Sequence, residues 1–259
     1  MPCRVLDATP DPTGHRGSRW RCRYHHPVVA QTLLLLGDSI ANGLGVRRRT
    51  YGQIVAAELG HRLIDLSRTA RQVSESLQLT RGLTERPTIA LVAHGITESI
   101  VRPRPRALAL VPPRWRRTGW MDPRPYFSSH PNKRRIQMVE SGVRWRVRNA
   151  LIHVGGGDQL QSLDSFSDDL QQIVEDLQAR GTRVLTLGQP SLDGRYFAGS
   201  PAESQRYEGA MQALDAEHVV LRGRLREWGD FLADHFHPND DGHEAIADIV
   251  LAAIRGTQG

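Results

Sequence analysis

The sequence predicts a three-layer α/β/α sandwich around a parallel five-stranded sheet. Three observations carry that prediction. Short apolar runs alternate with stretches of helical period along most of the chain. The run Thr88–Ala93 is almost wholly apolar, as expected of a strand buried on both faces of a parallel sheet. With 259 residues, the chain is long enough to bury one sizeable α/β core.

The regular pattern begins after residue 27. Residues 1–27 are rich in Pro, Arg, His and Gly without periodicity, and read as a disordered extension preceding a domain over 28–259. Thr32–Leu36 ends on Gly37 and predicts the first strand. Tyr51–Leu59 predicts a helix, with Ile54, Val55 and Leu59 on one side and Gly60 as its stop. Arg62–Leu66 predicts a second strand, Val73–Leu83 a helix, and Thr88–Ala93 a third strand. Further on, Phe166, Leu170, Ile173, Val174 and Leu177 follow the 3.6-residue period, with Ser165 as a candidate cap and Gly181 as the end. Arg183–Leu187 and His218–Leu221 predict the last two strands, separated by a helix over Ala202–Leu214. A final helix starts near Asp241, with Ile246, Ile249, Val250, Ala253 and Ile254 on its apolar face. This alternation is flavodoxin-like, and the sequence holds no internal repeat.

Residues 102–150 interrupt the rhythm and predict an insertion or lid. Seven prolines between Pro103 and Pro131 forbid long regular elements in its first part. Trp115, Trp120, Tyr126 and Phe127 among them point to a packed insertion rather than a loose linker. A helix is expected over Arg135–Ile152. Residues 102–148 carry 12 Arg and Lys133 against only Asp122 and Glu140, so the net charge of +6 is concentrated there and the remainder is acidic. Two readings stand: a surface for an anionic substrate, or a solvated arginine-rich face. A nucleic-acid interface is disfavoured, because 33 of the 34 basic residues are Arg, a skew that codon bias accounts for in part.

Composition excludes other classes. Hydrophobic residues make up 39% and charged residues 24%, as in globular proteins. The sequence has no apolar run of membrane-spanning length, and no membrane span is expected. Leu33–Leu36 is too short for the apolar segment of a secretory signal. Cys3 and Cys22 both lie in the N-terminal extension, which argues against a disulfide framework. A cytoplasmic location is the expectation.

Two motifs carry chemistry. Gly37-Asp38-Ser39-Ile40-Ala41-Asn42-Gly43 directly follows the first strand, so Ser39 should stand at the mouth of the sheet, where ligands bind in open α/β folds. Asp234-His235-Phe236-His237-Pro238 leads into the last helix. A serine hydroxyl needs a base, which His237 can supply, and Asp234 can hold the imidazole in the required tautomer. His235, His237 and Asp234 could also be metal ligands, but no second cluster completes such a site, and neither metal nor cofactor is expected. Asp240 and Asp241 read as helix-capping residues and His243 as structural.

The first motif resembles block I of the SGNH/GDSL hydrolases, and D-x-x-H-P resembles their block V, in the family's order. The resemblance covers residues 32–101 and 155–255. It implies an SGNH fold, Ser39, Asp234 and His237 as a catalytic triad, and an oxyanion hole from the Ser39 and Ala70 N–H groups with Thr97. Two positions depart from the family pattern. Ala70, in Asp65-Leu66-Ser67-Arg68-Thr69-Ala70-Arg71, replaces a glycine, and Thr97, in Gly95-Ile96-Thr97-Glu98, replaces an asparagine. Asp38, His94 and Gly95 are expected to line the substrate site. The implied activity is ester hydrolysis through an acyl-serine, on a small-molecule or carbohydrate ester. An acyltransferase with the same triad and a non-catalytic module keeping the fold are the alternatives.

Overall fold

A computed structural model of the chain describes residues 31–109, 111–117 and 119–256. The expected N-terminal extension, with Cys3 and Cys22, lies outside them. In chain order the elements are β1 (Thr32–Gly37), α1 (Tyr51–Leu59), β2 (Arg62–Asp65), α2 (Val73–Gly82), β3 (Ile89–Ala93) and α3 (Ile96–Ser99). Residues 102–158, which include the segment expected as an insertion over 102–150, contribute β4 (Arg102–Pro103), α4 (Pro105–Leu108), a 3₁₀ turn (Pro113–Arg116), α5 (Pro131–Gly155) and β5 (Gly157–Asp158). The chain then runs through α6 (Leu163–Gln178), β6 (Arg183–Leu187), α7 (Ser200–Gln212), β7 (Glu217–Val219) and α8 (Asp240–Arg255).

The main sheet has five strands in the order β2-β1-β3-β6-β7, all parallel. From β1 the chain turns one way to β2 and then crosses to β3 on the other side. The C-terminal ends of β1 and β3 therefore flank the switch point where open α/β sheets bind ligands. Leu33 to Leu36 are fully buried, and their alternation splits them between two cores. Leu33 and Leu35 pack with Tyr51, Val55, Ile246 and Val250 of α1 and α8. Leu34 and Leu36 pack with Val73, Phe166, Leu170 and Met211 of α2, α6 and α7. Helices thus cover both faces of the sheet. Each such leucine contributes about 1.5–3 kcal/mol by leaving water.

Several boundaries differ from expectation for local reasons. Helix α6 begins at Leu163 because Ser162, not Ser165, is its cap, accepting from the Ser165 N–H at 3.3 Å. Helix α5 starts at Pro131, a residue suited to a first turn, four residues before Arg135. The cap of α8 is Asn239, whose side chain accepts from the Gly242 N–H at 2.9 Å. Asp240 instead accepts from the Arg47 and Arg48 N–H groups. The two-residue strands β4 and β5 pair antiparallel, Arg102 with Asp158 and Pro103 with Gly157, and close the base of the insertion.

Candidate active site

Ser39 sits in the turn after β1. Asp38 shapes that turn, its Oδ1 accepting from the Ile40 N–H at 3.0 Å, while the Asn42 N–H donates to the Asp38 carbonyl at 2.9 Å. Gly37 is required there: a Cβ would lie 2.6 Å from the Ala41 Cβ and 2.8 Å from the Ala93 carbonyl oxygen. The turn is thereby pressed against the end of β3.

The second loop is folded back on itself before α8. Phe231 and Pro238 form an isolated antiparallel bridge, and the Leu232 N–H donates to the His237 carbonyl at 2.7 Å. His235 adopts a left-handed φ of 52°. Its ring stacks on Trp228 at 4.6 Å and its Nδ1 lies 2.8 Å from the Asp193 carboxylate. His235 therefore braces the loop and turns away from Asp234. Among the described residues, no three His, Cys, Asp or Glu side chains group as metal ligands.

These two loops, 198 positions apart in sequence, meet at the sheet edge. His237 Nε2 is 2.8 Å from Ser39 Oγ, and His237 Nδ1 is 2.5 Å from Asp234 Oδ2. Asp234 is fully buried, and its other oxygen accepts from the Phe236 and His237 N–H groups at 3.2 and 3.1 Å. That anchoring fixes the carboxylate, which fixes the ring, which points at the hydroxyl.

Ala70 lies beside Ser39 on the same cavity wall, at a left-handed φ of 58°. That conformation favours glycine, so alanine bears a steric cost there while keeping its N–H. Among the described residues, neither the Ser39 nor the Ala70 N–H has a hydrogen-bond acceptor. Thr97 departs from expectation. Its hydroxyl donates to Asp38 Oδ2 at 2.7 Å, so its one hydrogen is committed to a buried carboxylate rather than free for a substrate oxygen. Burial pushes the Asp38 carboxyl up, offset in part by that hydroxyl, the Ile40 N–H and His237.

The three residues expected to bind substrate also lie elsewhere. Asp38 is behind the nucleophile turn and 1% exposed. His94 is buried with Nε2 2.8 Å from the Ser76 hydroxyl, and burial drives its pKa down to about 3. The Gly95 N–H donates to Glu98 at 3.0 Å. Glu98, also buried, accepts from the Val73 N–H at 2.7 Å, and burial followed by the charge of Asp38 raises its pKa to about 7. The chain after β3 turns at Gly95, which has a φ of 113°.

A cavity of about 640 Å³ opens on Ser39 and His237. Its far wall is the insertion, through Trp120, Tyr126, Phe127, Arg124 and Arg144, while Ile100, Phe197 and Phe236 extend the apolar lining. Of the aromatics expected to pack there, Trp120 and Phe127 are half-buried while Tyr126 is 61% exposed. Arg144 carried no signal that set it apart from its neighbouring arginines.

Searching the curated proteins finds no sequence relative. Solved structures share the fold. An esterase, EstA, from Pseudoalteromonas sp. superposes with a TM-score of 0.52 at 12% identity, covering 87% of this chain and 97% of that one. An α/β hydrolase from the Lake Arreo metagenome gives 0.57 at 14% identity, covering 88% and 97%. An acetylxylan esterase from Geobacillus stearothermophilus gives 0.54 at 16% identity, covering 86% and 94%. The model of the GDSL-like lipase/acylhydrolase family matches residues 35–245, a span that includes both motif loops and the whole sheet but its first few residues. The chain belongs to the GDSL-like lipase/acylhydrolase family.

Proposed function

We propose that the protein is a serine-dependent ester hydrolase that works through a covalent acyl-Ser39 intermediate. The observation carrying this reading is the unbroken chain of contacts Asp234–His237–Ser39, 2.5 and 2.8 Å long, at the mouth of the cavity. His237 Nε2 takes the Ser39 proton as Oγ attacks the ester carbonyl. The tetrahedral oxyanion is held by the Ser39 and Ala70 N–H groups. His237 then returns the proton to the leaving alkoxide, the C–O bond breaks and the alcohol departs. Water, deprotonated by the same ring, hydrolyses the acyl-serine. Asp234 keeps the proton on Nδ1 and stabilises the imidazolium.

Thr97 serves this reading indirectly, by holding Asp38 and with it the turn that presents Ser39. The depth and apolar lining of the cavity suit an ester with a sizeable non-polar body. The test is fluorophosphonate labelling of wild type beside Ser39→Ala, with turnover of p-nitrophenyl acetate and butyrate. Labelling confined to Ser39, with turnover abolished in Ser39→Ala, is expected. Turnover that survives the substitution would remove Ser39 from the mechanism.

A further inference from the structure

The cavity wall holds a charge without a counter-charge. Arg144, on α5, is 2% exposed, and of its three nitrogens only Nη1 donates, to the Trp120 carbonyl at 3.0 Å. Nε and Nη2 are buried without a hydrogen-bond partner among the described residues. The guanidinium lies over the Trp120 ring, 5.1 Å from its centroid. No carboxylate forms an ion pair with it among the described residues. Glu140 is nearby but is engaged with Arg124 at 3.6 Å. The acid on the wall, Asp122, is taken by Arg148 at 2.8 Å and faces Arg102 at 3.9 Å.

The other strongly buried arginine among the described residues has a counter-charge: Arg148 pairs with Asp122 and also donates to the carbonyls of Val101 and Tyr196. Burying a guanidinium with two donors unmet is costly, and that cost is recovered when an anion supplies the acceptors. Arg124, Lys133 and Arg102 stand on the same wall and add a positive field. Trp120, Tyr126, Phe127, Phe197 and Phe236 supply apolar surface around it.

We propose that the substrate is an ester with an apolar body and a negatively charged oxyacid group, and that Arg144, which lines the cavity that opens on Ser39, holds this group through its unpartnered Nε and Nη2. The charged group is a carboxylate or a phosphate monoester, since a planar fork with two free donors suits the oxygens of either. The inference rests on the esterase reading of Ser39 for its catalytic half, while anion binding stands by itself.

Two matched pairs of esters test it. Mono-(4-nitrophenyl) glutarate against 4-nitrophenyl pentanoate places a carboxylate on the acyl side. 4-Acetoxyphenyl phosphate against 4-methoxyphenyl acetate places a phosphate on the alcohol side. Wild type should prefer one anionic ester over its neutral partner by about 10- to 100-fold in kcat/KM, the range expected of a charge-assisted contact. Arg144→Gln should bring that ratio close to one, and Arg144→Lys, which keeps charge but not the fork, should fall between. Arg183→Gln, far from the cavity, should keep the wild-type ratio. No preference in either pair, or a preference that survives Arg144→Gln, overturns the proposal, and the wild-type ratios decide even where a variant fails to fold. Quenching of tryptophan fluorescence in Ser39→Ala by glutarate and by inorganic phosphate separates the two claims. Saturable quenching lost in Arg144→Gln, without ester turnover in wild type, sinks the esterase reading alone. Turnover without anion preference or quenching sinks the Arg144 site alone.

Discussion

The two sides of the cavity are built by opposite means. At the sheet edge the side chains in line with Ser39 have their partners: Ser39, His237 and Asp234 form one chain, and Asp38 and Thr97 another. On the insertion side, partners are missing. Among the described residues, Arg144 keeps two nitrogens unmet, Arg102 one, and the Trp115 and Trp120 indole N–H groups are buried without acceptors. Ile136 and Val139 of α5 are about two-thirds exposed, at 68% and 69%. A closed network fixes geometry, which bond-making requires. Open donors wait for a ligand, which selection among substrates requires.

The sharpest way to break this contrast is at the closed side. Ser39→Ala and His237→Ala should each lower kcat for p-nitrophenyl ester hydrolysis by about 10⁴-fold or more, and the double variant should be no worse than either single one, since the residues act as a unit. Multiplying losses would show that they act apart. Asp234→Asn should cost about 10²- to 10⁴-fold, because the amide favours the wrong tautomer and loses the charge. Steady-state kinetics reads both.

On the open side the expected damage is structural. Arg148, paired with Asp122 within residues 102–150, ties that segment to the body through the Val101 and Tyr196 carbonyls. Arg148→Met should lower stability in urea by about 3 kcal/mol and speed tryptic cutting within residues 104–156, while Ser39 remains labelled by a fluorophosphonate. Loss of labelling would mean that the two sides are not separable.

Smaller effects sharpen the picture of the closed side. His243 accepts the Tyr51 N–H at 3.0 Å, and burial lowers its pKa from 6.5 to about 4. The folded state then binds fewer protons than the unfolded chain below pH 6.5, so this residue's contribution is complete above that value and is lost as pH falls towards about 4. Thermal melts of wild type and His243→Asn should show wild type losing ground as pH drops through that window. A constant gap would contradict a neutral buried imidazole. Smallest of all, Ala70→Gly relieves a left-handed alanine and should raise stability in urea by about 0.5 kcal/mol, the steric relief being offset by the freer unfolded chain.

What the sequence disclosed follows the same division. Strands β1 and β3 were legible because a strand buried on both faces is almost wholly apolar, as Leu33–Leu36 and Ile89–Ala93 are; β6 was legible by its apolar residues Val184, Leu185 and Leu187. The loops bearing Ser39 and His237 were legible because each is a contiguous motif, although their meeting is a product of the whole sheet. Strands β4 and β5 were not legible: two residues each, they exist only because positions 102 and 158 come together. The hydroxyl of Thr97 could be matched to a family position but not to its acceptor. Arg144 was hidden among 12 arginines, because burial of one of them depends on where Trp120 packs.

The short ladder joining Arg102 to Asp158 has a consequence for how such a protein can diversify. The chain leaves the core framework and re-enters it at neighbouring points, so the segment between them behaves as a cassette. The serine turn and the histidine loop both lie outside that segment. Changes of length or sequence between those points therefore fall on the wall facing Ser39 and not on the residues of the Asp234–His237–Ser39 contacts.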